Sequence, residues 1–146
     1  MSMYSVAGRS TVVGTSVRGG VALYAIASLR PKIREIGVFN TTTTAFVATI
    51  ARFTTNTTPS TGLNEMPWEN DGRAASATGF EGHTVDQTVT AGYIRQASIG
   101  AAIGAGVIWT FGGPGLIIAD GTGNGIGVIC GSGTGQIFDY YIDWEE

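Results

Sequence analysis

The sequence predicts an all-β fold: a single jelly-roll-like β-sandwich of about 8–10 antiparallel strands with a flexible N-terminal arm. Three observations predict it. Short runs rich in β-branched and aromatic residues recur at spacings of about 8–12 residues. Glycine-rich turn chemistry separates them, as in Gly112-Gly113-Pro114-Gly115, Asp120-Gly121 and Gly131-Ser132-Gly133. No apolar stripe of helical period is sustained.

Residues 1–20 are polar and glycine-dotted, with one apolar pair at Val12 and Val13, and read as an arm or a weakly paired edge strand. Val21 to Ser28 is the first strand, with Val21, Leu23 and Ala25 on one side and Tyr24 and Ile26 on the other. Pro31 then interrupts the chain. Lys32 to Asn40 and Ala45 to Thr54, joined by a polar threonine tract, read as the central antiparallel pair. In the second of these, Phe46, Ala48, Ile50 and Arg52 share one face, while Val47, Thr49, Ala51 and Phe53 share the other. A strand apolar on both sides belongs inside a sheet that is covered twice.

The stretch 54–82 is rich in Thr, Asn, Ser, Pro and Gly and reads as a long loop. Loops of this length are either functional or carry short elements of their own. Trp68 within it either pins the loop to the core or anchors a partner. Strands are then expected at 83–90, 93–99, 106–111, 116–119, 126–130 and 136–144. In the last of these Phe138, Tyr140, Ile142 and Trp144 point one way, and Asp139 and Asp143 the other with Ile137 and Tyr141. The organisation is thus 1–20 as arm or edge strand and 21–146 as one sandwich domain with a long loop at 54–82.

The 146 residues fit one domain. Charged residues make up only 13% of the chain, which favours a surface hidden in an assembly over an isolated monomer. Lys32 is the only lysine, and the arginines are scattered, so the clustered basic face that nucleic acid requires is not expected. Ile99 to Phe111, the longest apolar run, is too short and too glycine-rich to span a membrane. The first residues lack the pattern of a secretory leader.

Catalysis finds little support. His83 is the only histidine; Glu81 shares its face in an extended strand, but no nucleophile turn accompanies the pair, and a structural histidine is the simpler reading. Cys130 lies in an apolar run and reads as a buried, inert thiol. No cofactor or metal is expected: one histidine and one cysteine do not make a zinc site. The oxygen-rich clusters Glu65, Glu69, Asn70, Asp71 and Asp139, Asp143, Glu145, Glu146 read as solvated charge rather than calcium ligands. The alternating Gly121, Gly123, Gly125 and Gly127 precede no lysine or helix start, so they are not a phosphate loop.

Leu29-Arg30-Pro31, the run Arg34 to Asn40 with its threonine tract, and Gly100 to Trp109 with the glycine-punctuated end resemble small virion proteins encoded among tailed-phage structural genes. The resemblance covers most of the chain from Val21 on; residues 1–20 and 54–82 depart from it. It implies a non-enzymatic capsid decoration or cement protein, a jelly-roll homotrimer seated on the outside of the head. Its partner would be the major capsid protein and its location the virion surface, with the host cytoplasm as the site of assembly. Arg9 and Arg18 on the arm and Trp68 in the loop are the candidate partner contacts. The alternative is a carbohydrate-binding module of a phage tail or baseplate, with Trp68, Trp109 and Tyr93 stacking on sugar rings.

Overall fold

The computed structural model describes residues 1–70 and 72–146. Among them lie twelve strands and no helix: β1 (Met3–Arg9), β2 (Val21–Tyr24), β3 (Lys32–Asn40), β4 (Phe46–Phe53), β5 (Thr61–Gly62), β6 (Met66–Pro67), β7 (Thr78–Glu81), β8 (Arg95–Ile99), β9 (Gly106–Thr110), β10 (Leu116–Ile117), β11 (Gly125–Cys130) and β12 (Phe138–Glu145). They form two antiparallel sheets in a sandwich-like arrangement. The first has the order β10-β3-β12-β1-β6 with β9 also on β3, and the second has β5-β7-β2-β11-β4-β8. With the short additions β5, β6, β7 and β10 set aside, the other strands pair as if the chain were folded in half. β1 pairs with β12, β2 with β11, β3 with β9 and β4 with β8. The pairings β3–β12 and β4–β11 then complete the two sheets.

The expected alternation sets which residues are core. Phe138, Tyr140, Ile142 and Trp144 of β12 are all buried between the sheets, opposite Val21 and Leu23 of β2 and Phe46, Ala48 and Ile50 of β4. Each such side chain contributes about 1.5–3 kcal/mol on burial. The other side of the second sheet holds a smaller cluster, Ala22, Tyr24, Ala51, Phe53 and Ile129. β4 is therefore covered on both faces, as its sequence requires, and Arg52 at its end donates from Nη1 to the Ile117 carbonyl at 2.9 Å.

Several segments differ from expectation. Of the two readings of 1–20, arm or edge strand, residues 3–9 take the strand and not the flexible arm: β1 pairs along its whole length with β12, and Tyr4 and Val6 are buried. Only two of its residues are buried, so its partner creates it. The first predicted strand stops at Tyr24, because Ser28 takes a φ of 67° and the Leu29 amide closes a turn onto the Ile26 carbonyl. The long loop carries β5, β6 and β7, which cover the edges of β2 and β1.

The expected strand 83–90 does not form. Gly82 has a φ of 67°, which turns the chain off β7 and lays the segment across the outer cluster. Its backbone bonds are mixed: the Gln87 amide to the Val17 carbonyl, the Thr88 amide to Thr55 Oγ1, and only the Thr90 amide to a strand, at the Arg52 carbonyl of β4. The Gln87 side chain completes the seal, accepting from the Gly19 amide at 2.6 Å and donating to the Tyr24 hydroxyl.

Candidate interaction surface

While the strap 83–90 covers the second sheet, the outward face of the first sheet has no covering segment among the described residues. Strand register assigns its rows. Ile108, Gly37, Tyr141 and Ala7 lie side by side across β9, β3, β12 and β1. The next row holds Gly106, Phe39, Asp139 and Arg9, and on the other side lie Thr110, Glu35, Asp143, Ser5 and Met66.

Glycine beside aromatic residues makes this face flat. A Cβ at Gly37 would overlap the Tyr141 ring, and one at Gly106 would overlap the Phe39 ring, so each ring lies down on a position without a side chain. The two rings are stacked at 6.4 Å with planes 26° apart. Ile108, 52% exposed, borders them.

The polar groups around the rings are engaged within the chain. The Tyr141 hydroxyl donates to Glu35 Oε1 at 2.5 Å, and Thr110 Oγ1 donates to Glu35 Oε2 at 3.2 Å. Burial, then the Glu35 bond and charge, push the Tyr141 hydroxyl well above its ordinary range and keep it a neutral donor. Asp143 sits opposite Glu35. Burial raises its carboxyl, with Ser5 opposing and the Glu35 charge adding. At the sheet's end Arg34 Nη2 lies 2.8 Å and Lys32 Nζ 3.2 Å from Glu145 Oε1. The Arg34 hydrogen bond, foremost, lowers the Glu145 carboxyl.

Of the C-terminal carboxylates read as solvated charge, Glu145 and Glu146 are bonded within the chain, while Asp139 remains half-exposed. Asp139 pairs with Arg9, and Glu146 accepts from the Ser76 and Ala77 amides and from Trp144 Nε1. In the loop cluster Glu65 accepts from the Gly79 amide at 2.7 Å; Asp71 lies outside the described residues. Among the described residues no group of three or more His, Cys, Asp or Glu gathers to hold a metal ion.

The candidate partner contacts do not converge. Arg9 is bound to Asp139 by bonds of 2.6 and 3.0 Å at the far end of β1. Arg18 pairs with Asp86 at 2.6 Å on the strap side of the molecule. Trp68 stands beside the start of β1, where its amide donates to the Met3 carbonyl. Its indole is 61% exposed, so the side chain does not pin the loop to the core. Of the proposed sugar-stacking residues, Tyr93 is exposed, whereas Trp109 is partly buried against the core. Phe39 and Tyr141 were not singled out in the sequence; the one signal for them is Gly37 at the centre of a β-branched strand.

Glu81 and His83 part company at Gly82. Glu81 accepts from the Tyr140 hydroxyl between the sheets, whereas His83 packs by Tyr24 under the strap, its Nε2 3.2 Å from Asn56 Oδ1. They form no acid–base pair. The cavities are small: about 370 Å³ between 13–16 and 130–135, and about 240 Å³ near Met1, Arg73 and Glu146. Cys130 borders the larger one but is buried and donates to the Ser132 carbonyl at 3.2 Å. No protein-family model matches the sequence, and neither a characterised protein nor a solved structure matches it significantly.

Proposed function

We propose that the chain is a non-enzymatic virion protein that decorates and cements a phage capsid by bridging neighbouring subunits of the major capsid protein. The carrying observation is the contrast between its two sheets. The strap covers the outer cluster of one, while the other presents rings lying flat on a plane that no described segment covers, beside the Glu35 carboxylate held by two hydroxyl donors of the chain. A flat, partly apolar surface suits protein docking better than capture of a small ligand, which calls for a concave site. A standard interface of about 1,600 Å² gives stable association, and several contacts per oligomer add avidity.

The finer fold reading is a jelly roll. Its support is the order β1-β12-β3-β9 facing β2-β11-β4-β8, the arrangement two interleaved Greek keys produce. The low charge and the likeness to small tailed-phage virion proteins support placement on the head surface, with assembly in the host cytoplasm. The test is add-back to heads lacking the protein. The native chain cosediments with them, and Trp68→Ala or Phe39→Ala weakens retention at least about tenfold. A native chain that stays in the supernatant refutes the proposal.

A carbohydrate-binding module of a tail or baseplate is the second reading, favoured by one observation: the Tyr141 ring lies flat with the Glu35 carboxylate at its hydroxyl. Glycan-array binding that Tyr141→Ala abolishes would select it over decoration.

A further inference from the structure

The two sides of the sandwich treat their sheet edges differently. On one side the segment 54–82 covers both: β6 lies along β1, and β7 with β5 lies along β2. On the other side β8 and β9 are bare among the described residues, and they are not equally defended. β8 opens on Arg95 and exposes Gln96 and Ser98, which discourages pairing. β10 continues the β9 edge for only two residues, just after Pro114. β9 itself is Gly-Val-Ile-Trp-Thr, with neither charge nor proline, and lies within a stretch from Gln96 to Ala119 that has no charged residue at all. Ile108 is 52% exposed, and Ile103 on the incoming loop is 73% exposed.

Register fixes which backbone groups this edge presents. The Phe111 amide donates to the Arg34 carbonyl, and the Asn40 amide to the Ala105 carbonyl. In an antiparallel ladder between those bonds, Val107 and Trp109 face β3, and the amides and carbonyls of Gly106, Ile108 and Thr110 face outward. The outward set is symmetric about Ile108.

We propose that β9 is the site at which two copies of this chain join, by antiparallel β9-to-β9 pairing about a twofold axis through Ile108. In that arrangement Ile108 exchanges both backbone bonds with its counterpart, and each Gly106 pairs with the other Thr110. The first sheet then runs unbroken from one copy into the next. Self-pairing is the fit because a charged strand brought to this edge would lose water and meet no counter-charge, whereas a second β9 is uncharged and matches in register. Pairing also sets the two Tyr141 faces side by side in one continuous sheet, doubling the flat surface. The inference does not depend on the capsid reading.

Sedimentation of the full chain at micromolar concentration tests it. The expected mass is twice the 15.1 kDa of one chain. Ile108→Lys weakens the pair at least about 30-fold, the loss expected at a central interface contact, and leaves a folded single chain whose melting temperature no longer rises with concentration. Ile108→Pro removes an amide that makes no bond within the ladder and gives the same dissociation. A native chain that sediments singly or in threes overturns the inference, as does a pair that survives both substitutions. Head binding is read separately and stands or falls alone.

Discussion

The Tyr140 hydroxyl donates to Glu81 Oε2 at 2.7 Å, joining β12 of the first sheet to β7 of the second through the middle of the core. Both residues are buried, at 3% and 8% exposure. Burial, then the Glu81 bond and charge, raise the Tyr140 hydroxyl far above its ordinary range, so it stays protonated wherever the fold persists. The bond therefore ties the two sheets together, and it gives a buried carboxyl group a hydrogen-bond donor.

Removing the donor exposes that dependence. Tyr140→Phe leaves the Glu81 carboxylate without this partner and is expected to cost about 1–3 kcal/mol in urea unfolding. Glu81→Gln keeps an amide oxygen as acceptor and is expected to cost less. Equal stability of Tyr140→Phe and the native chain would show that the bond contributes nothing.

Gly37 and Tyr141 should be coupled with a change of sign. In the native chain Gly37→Ala drives a Cβ into the Tyr141 ring and is expected to destabilise by about 1–3 kcal/mol. In a Tyr141→Ala background the space is free and the backbone φ is ordinary. There the same substitution should stabilise by about 0.5–1 kcal/mol, the usual gain of alanine over glycine in a strand. A double-mutant cycle by thermal or urea unfolding measures this; additive effects would mean the ring does not rest on Gly37.

His83 makes stability depend on mild acid. Burial lowers its imidazole below the ordinary value of 6.5, so the unfolded chain takes up a proton that the folded chain refuses. This contribution is complete above that ordinary value and is lost as pH falls through it toward the lowered folded value. The melting temperature should decline between about pH 7.5 and 5.5, and His83→Gln should flatten that decline. An unchanged slope in the variant would place the titration elsewhere.

Much of this architecture is legible in the chain itself. Alternation in Phe46–Phe53 and Phe138–Trp144 assigns every inward residue of β4 and β12 correctly, because burial on one or both faces leaves a period-two mark. Other features leave no local mark. β1 buries only Tyr4 and Val6 and is specified by its pairing with β12, more than a hundred residues away in sequence. Its removal should therefore compromise the fold, not merely detach an arm. The strap 83–90 carries strand-like residues, yet it meets β4 only at a single bridge, Val89 to Phe53, and its other backbone partners are loops and side chains, which periodicity does not register. The flat face is written in two distant segments, Gly37 and Tyr141, and exists only once register brings them together. Arg9 and Arg18 looked available to a partner, but each meets a carboxylate of this chain, Asp139 or Asp86.

An electron-microscopy map of the intact particle from the genome that encodes this chain tests the central claim most directly. Decoration predicts density for the sandwich on the outside of the head, with the sheet bearing Phe39 and Tyr141 turned toward the capsid subunits. Particles whose heads carry no such density, in a preparation that retains all its other structural proteins, would contradict it.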